Sequence, residues 1–187
     1  MAHTANAKLQ AGRARGSPIV KLRPARPADL GLLQHWDEQP HVIESDPNDD
    51  WGWETELHRS PDWREQLIAE TGGRPIGFVQ IIDPCREDSH YWGCVAEGRR
   101  AIDLWIGEEA DLGKGYGTAI MKLAIDRCFA DPAVSTVLVD PLASNTRAHR
   151  FYEQLGFKVK ARRRFGDDDC IVYSLVRPDS GSPRSIG

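Results

Sequence analysis

Read along its length, the chain alternates between short runs of apolar residues at period two and longer runs at the helical period. Residues 19–23 alternate apolar and basic side chains, as a strand would, and Pro27-Ala28-Asp29 opens a short helix carrying Leu30, Leu33 and Trp36. Residues 38–50 read as a loop interrupted by Pro40 and Pro47, and 51–58 as one or two helical turns before Ser60-Pro61. Residues 65–70 and 75–82 flank Thr71-Gly72-Gly73-Arg74, the pattern of a β-hairpin with a glycine turn. A polar connection over 85–98 carries the aromatic pair Tyr91 and Trp92, and 99–106 is a further strand.

The second half reads differently. Residues 115–129 predict a helix, ended by Asp131-Pro132, and 134–139 is a continuous β-branched run of the kind buried on both faces of a sheet. Residues 145–155 predict another helix, closed by Gly156 where a left-handed cap is wanted. Residues 157–165 and 170–176 make a last hairpin around Gly166-Asp167-Asp168-Asp169. Hairpins first, then strand–helix–strand–helix–strand, predict an α/β (α+β mixed) domain with a partly parallel central sheet covered by helices. The domain is expected over 19–177, between a polar disordered tail at 1–18 and a loose tail at 178–187.

Composition narrows the classes. At 187 residues, 40% of them hydrophobic and 28% charged, the chain can bury one substantial core. No apolar run approaches the roughly 20 residues that span a bilayer, and no apolar stretch follows the basic N-terminus, so a cytoplasmic protein is expected. Cys85, Cys94, Cys128 and Cys170 form no C-x-x-C pair and no His pair has ligand spacing, which predicts reduced thiols and no metal. A net charge of −4 gives a nucleic-acid partner no support. The distribution is less even than the sum. Asp37, Glu38, Glu44, Asp46, Asp49, Asp50, Glu54 and Glu56 lie in a stretch without Lys or Arg, either a solvated acidic loop or an attractor for a cationic substrate. Lys158, Lys160, Arg162 and Arg164 fall on one face of a strand, as a solvated sheet face.

Chemistry concentrates in two segments. Leu112-Gly113-Lys114-Gly115-Tyr116-Gly117-Thr118 joins a strand to a helix. Glycines at alternate positions open the backbone to a ligand, and their N–H groups with the helix N-terminus form an anion site to which Lys114 adds charge. The spacing fits neither G-x-x-x-x-G-K-[ST] nor G-x-G-x-x-G, so the loop suits a phosphate outside the ordinary nucleotide motifs. The second segment runs from Asp140-Pro141 through Asn145, Arg147 and Ala148 to Phe151-Tyr152-Glu153 and Gly156-Phe157. Asn145 is a good N-cap, and Ala148, Phe151, Tyr152 and Leu155 share a helix face. On helix chemistry alone, a plain cap and a core tyrosine account for this segment better than a site does.

Together the two segments resemble the GNAT superfamily of N-acetyltransferases, whose pyrophosphate turn looks like Leu112–Thr118 with Leu112 where Gln or Arg is usual. The resemblance implies an acetyl-CoA-dependent enzyme. Asp103, Leu104, Trp105 and Ile106 would be the strand edge that pairs with the pantetheine arm; Leu112, Gly113, Lys114, Gly115, Tyr116, Gly117 and Thr118 would cradle the pyrophosphate. Asn145 and Arg147 would contact the cofactor, and Tyr152 would protonate the departing thiolate. Asp103 and Asp140 are the carboxylates placed to attract and deprotonate an amine.

Within that superfamily the segments at 41–44, 73–80, 100–103, 112–118, 129–132 and 140–157 are most similar to bacterial aminoglycoside 6′-N-acetyltransferases. That likeness implies a small cationic amine as partner, with Trp92, Asp103, Asp140, Asp49 and Asp50 on the acceptor side and the acidic stretch meeting its ammonium groups. Gly52 separates Trp51 from Trp53 where adjacent tryptophans are expected. Other amines (protein N-termini, lysines, polyamines, hydroxylamines) and a non-catalytic binder are the alternatives.

Overall fold

A computed structural model describes residues 18–48 and 50–178. The expected tails lie outside these residues apart from Pro18 and Pro178, and Asp49 lies outside them too. Among the described residues, seven strands form one sheet in the order β1-β2-β3-β4-β5-β7-β6. They are β1 (Lys21–Pro24), β2 (Arg64–Thr71), β3 (Arg74–Ile82), β4 (Arg99–Ile106), β5 (Thr136–Val139), β6 (Lys158–Phe165) and β7 (Asp168–Val176). Five α-helical segments accompany them, α1 (Leu30–Asp37), α2 (Pro40–Ile43), α3 (Trp53–Glu56), α4 (Tyr116–Ala130) and α5 (Thr146–Gln154), with 3₁₀ turns at Pro27–Asp29 and Glu109–Asp111.

Strand burial explains the layering. α4 lays Ile120, Met121, Ala124 and Cys128 on one sheet face, against Ile102, Ile106, Val137 and Val139. On the other face Leu33, Trp36, Val42 and Trp53 of α1–α3 meet Ile68, Phe78 and Trp105. Each such large side chain taken from water contributes roughly 1.5–3 kcal/mol, so neither layer can be lifted without exposing the sheet. β3 serves both layers by alternation, Val79 and Ile81 facing α4 and Phe78 the other side, and a bulge adds one more residue: opposite Ala69 and Glu70 its partners jump from Gly77 to Pro75, leaving Ile76 unpaired. Ile76 then packs in the α4 layer while Phe78 packs in the other.

The feature that makes a site is the meeting of β4 and β5. They run parallel and pair only at Arg99↔Thr136, Arg100↔Val137 and Ala101↔Leu138. β4 continues to Ile106, still paired to β3 as far as Gly77↔Ile106, while β5 ends at Val139. Beyond Ala101 the sheet is therefore split, and one edge of β4 is open.

Two expectations are corrected. The loop predicted over 38–50 contains the turn α2, because Pro40 starts it at a position needing no N–H and Val42, 5% exposed, anchors it in the core. The basic run on β6 is not one solvated face: the register shifts between Val159 and Ala161, so Lys160 is bulged. Lys158 is thereby moved off the face of Arg162 and Arg164, while Arg163, on the opposite face, donates to the Trp92 carbonyl at 3.0 Å and covers the Phe165 ring.

Candidate active site

The split opens into a cavity of about 810 Å³ that runs from the α4 N-terminus past the ends of β4 and β5 to α3. At its α4 end, Gly113 (φ 71°) and Gly115 (φ 83°) adopt left-handed backbone that other residues enter only with strain. A Cβ added at Gly113 would meet no protein atom within 4 Å, and one at Gly115 only Pro18 at 3.7 Å. Packing therefore does not exclude side chains here; backbone conformation does, and the space stays free for a ligand. The first intrahelical bond of α4 runs from Ala119 N to Gly115 O, so the amides of Tyr116, Gly117 and Thr118 lack helical acceptors. This cradle fits a pyrophosphate.

Not every loop residue faces it. Leu112, Gly113, Gly115, Gly117 and Thr118 line the cavity, as do Asn145 and Arg147. Tyr116 instead packs on the core under α4. Lys114 Nζ donates to Asp111 Oδ1 at 2.9 Å, and Arg74 donates to both Asp111 oxygens at 2.6 and 3.1 Å. Arg74, and then Lys114, hold the buried Asp111 carboxyl below its usual range against the opposing effect of burial. The charge expected on the phosphate is thus engaged in fastening the loop to the β2–β3 turn.

β4 carries the middle of the site. Gly107 N donates to Ile76 O at 3.0 Å, which makes Gly77↔Ile106 a non-hydrogen-bonded pair. By alternation, the amides and carbonyls of Ile106 and Leu104 point away from β3 towards the split, while Asp103 and Trp105 face β3 with their backbone. Asp103, Leu104, Trp105 and Ile106 all line the cavity. Asp103 Oδ2 accepts from Gln80 Nε2 at 3.2 Å. Asp140, just past β5, accepts from the Tyr91 hydroxyl at 2.9 Å. Between them stands Tyr152 of α5, 8% exposed, whose hydroxyl has no hydrogen bond among the described residues. Burial first, then the nearby Asp103 and Asp140 carboxylates, push its phenol well above the ordinary value. Asn145 Oδ1 caps α5 by accepting from Ala148 N at 3.0 Å, so it serves as cap and wall together.

The acceptor side is only partly as expected. Asp50 lines the cavity and caps a tight turn by accepting from Gly52 N at 3.1 Å. Trp92 also lines it, yet is 3% exposed and packs against Ala101, Leu138 and Phe165, so it is chiefly core. Tyr91 is the aromatic beside the carboxylate: its ring stacks on Phe165 at 4.4 Å, and Glu87 holds the loop by accepting from the Tyr91 and Ser89 amides at 3.0 and 2.9 Å. Gly52 resolves the interrupted tryptophan pair. Its left-handed backbone (φ 55°) bends the chain so that Trp51 and Trp53 stack at 5.2 Å and 7°. His41 and Asp168 also line the cavity. The sequence assigns neither a role, His41 falling only within the similar segment 41–44, because a single polar residue in an aperiodic segment carries no local signal.

Charge around the acceptor end is uneven. Asp46, Asp50, Asp88, Asp103, Asp140 and Asp168 line it, and the guanidiniums there, Arg59 and Arg64, are both bound to Glu56.

Comparison with known proteins decides the family. Residues 25–165 match the family described as Acetyltransferase (GNAT) domain, a span that holds the residues of the site named above except Asp168. The chain belongs to the GNAT acetyltransferases. It is similar to an aminoglycoside N(6′)-acetyltransferase type 1 of Klebsiella pneumoniae, 31% identical over 181 residues, 89% of this chain and 88% of that protein. A second protein so named, of Serratia marcescens, is 31% identical over 153 residues, 74% of each chain. A crystal structure of an aminoglycoside acetyltransferase in complex with coenzyme A and kanamycin superposes with a TM-score of 0.76 at 27% identity, covering 85% of this chain and 95% of that one. As a GNAT member the chain is an N-acetyltransferase with acetyl-CoA as donor. Its sheet and helices are the mixed architecture expected from the sequence.

Proposed function

We propose that this enzyme acetylates the 6′-amine of aminoglycoside antibiotics by direct transfer within a ternary complex in the cytoplasm. The observation that carries the reading is the split sheet with a phosphate cradle at one end of its cavity and a surplus of carboxylates at the other. The relatives named for aminoglycoside N(6′)-acetylation support the choice of acceptor.

In this reading the Gly113 and Gly115 backbone, the α4 amides and Arg147 hold the donor's phosphates. The open edge of β4 binds its arm, and a β4 amide stabilises the oxygen that gains charge during attack. Asp103 and Asp140 draw the acceptor's ammonium group in by charge-assisted hydrogen bonds. Asp103, turned to the acceptor and steadied by Gln80, accepts the proton that frees the amine lone pair. Tyr152 keeps its proton at neutral pH because burial disfavours the phenolate, and delivers it to the leaving sulfur. Asp50 extends the acidic wall at the mouth, Trp92 with Tyr91 backs Asp140, and Asp49 is assigned to the acceptor side by its charge alone.

The test is thiol release from acetyl-CoA with kanamycin or tobramycin, with congeners lacking the 6′-amine, and with peptides and spermidine. Turnover confined to substrates bearing the 6′-amine is expected. Turnover of peptides or spermidine with inert aminoglycosides would overturn the acceptor assignment while leaving the donor half standing.

A further inference from the structure

β4 presents a short series of unpaired backbone groups to the split: the amides and carbonyls of Leu104 and Ile106. One member of this series is already taken. His41 of α2 lies 2.8 Å, through Nε2, from the Ile106 carbonyl oxygen. A carbonyl only accepts, so Nε2 carries the hydrogen and donates it. The other ring nitrogen, Nδ1, is buried with no partner among the described residues. An orphaned buried acceptor costs roughly 1–3 kcal/mol, which makes a merely structural histidine a poor choice at this position. Its geometry is nevertheless tightly determined. Pro40 begins α2, Val42 anchors it, and Trp36 presses on the end of β4 so closely that a Cβ on Gly107 would lie 2.0 Å from its ring.

We infer that His41 is a positioning residue that sets the register in which the donor's pantetheine arm pairs with β4. The inference rests on the acetyl-CoA assignment of the cavity. An arm entering from the Gly113–Gly115 cradle reaches Ile106 before Leu104. With the Ile106 carbonyl open, its amides have two equivalent places to pair, one a residue pair further out. Two residues along a strand are about 7 Å, enough to leave the thioester short of Asp103 and Tyr152. With the Ile106 carbonyl sealed by His41, the first free acceptor on the edge is that of Leu104. The outer register is lost and the thioester is carried inward. The residue acts through a backbone carbonyl, without touching the reacting atoms.

Two substitutions separate this role from simple support. His41→Phe keeps a ring of similar size and removes the donor; His41→Gln returns an amide N–H near the place of Nε2. The readouts are coenzyme A affinity by calorimetry, kcat and KM with kanamycin, and the ¹³C shift of bound [1-¹³C]acetyl-CoA, which reports the thioester oxygen without needing an acceptor. In His41→Phe we expect kcat to fall about tenfold or more through misplacement, with coenzyme A affinity within about twofold. We expect the carbonyl resonance to stay near its free position in that variant, and His41→Gln to restore both rate and downfield shift. A His41→Phe enzyme with normal kcat and shift overturns the inference, as does parallel loss of affinity and kcat without rescue by Gln. Failure of the unaltered protein to bind coenzyme A would overturn the donor reading and this inference together.

Discussion

The ring of Tyr152 is buried and its hydroxyl opens on the cavity, with no protein hydrogen bond among the described residues. Such a phenol is of little use to the fold: removing its oxygen leaves no partner behind and the ring contacts intact. It is of use to a reaction that produces a thiolate beside it. Tyr152→Phe is therefore expected to unfold at the same denaturant concentration as the parent while kcat falls by about 100-fold, the lower end of what general acids contribute. Steady-state kinetics beside urea titration check the pair of outcomes, and equal loss of stability and rate would return Tyr152 to the core. The pH dependence has a definite sign. Because the folded phenol titrates above its unfolded value of about 10, activity should show no alkaline limb from Tyr152 below that pH. Above it, the unfolded chain releases a proton the fold retains, so stability declines as pH rises.

At the scale of elements, the β4–α4 loop is held from both ends. Its glycines supply backbone that the turn requires, and Asp111 ties it to Arg74 and Lys114. Both partners are about half exposed, so the screened pair is worth far less than its short distances imply. Asp111→Asn is expected to cost about 1–2 kcal/mol in chemical denaturation at pH 7. The Asp111 carboxyl is held below its unfolded value, so its contribution is full above about pH 4 and is lost as pH falls through the folded value. The difference between parent and variant should accordingly shrink from pH 7 to pH 3; a constant gap would show that the charge is not what fastens the loop.

This loop also shows how far local reading reaches. Gly113, Gly115 and the Asn145 cap were legible because turn and cap chemistry are written within a few residues. The strands of the two hairpins and β4 were legible for the same reason. The sequence predicts Lys114 as a phosphate ligand; in the structure it pairs with Asp111, three residues earlier in a short 3₁₀ segment that has no periodic signature. α2 was hidden by Pro40 and the nearby Pro47, the Tyr91–Asp140 contact by a separation of 49 residues, and the bulge at Lys160 by a run of basic residues that alternates regardless of register. What escaped the sequence was in each case a partner supplied by another element.

The whole molecule divides its electrostatics along one cavity. A net charge of −4 gives a weakly attractive field for any cation, but the carboxylates at the acceptor end concentrate it where β4 and β5 separate. At the opposite end the anion site is made of backbone amides and glycine turns, fixed dipoles acting at contact distance. The two ends should therefore answer differently to salt. The Debye length falls from about 30 Å at 0.01 M to about 3 Å at 1 M, so long-range attraction of a polycationic acceptor is removed while short hydrogen bonds persist. Between about 0.02 and 0.5 M sodium chloride the KM for kanamycin is expected to rise about tenfold, with kcat nearly unchanged because the bound geometry is the same. The KM for acetyl-CoA, measured at saturating kanamycin, should change by about threefold or less, since its phosphates lean on amides more than on free cations. Equal salt dependence of the two constants would count against a division of labour along the cavity. A kanamycin KM indifferent to salt would mean that the acidic wall does not recruit the acceptor, leaving recognition to the contacts at Asp103 and Asp140 alone.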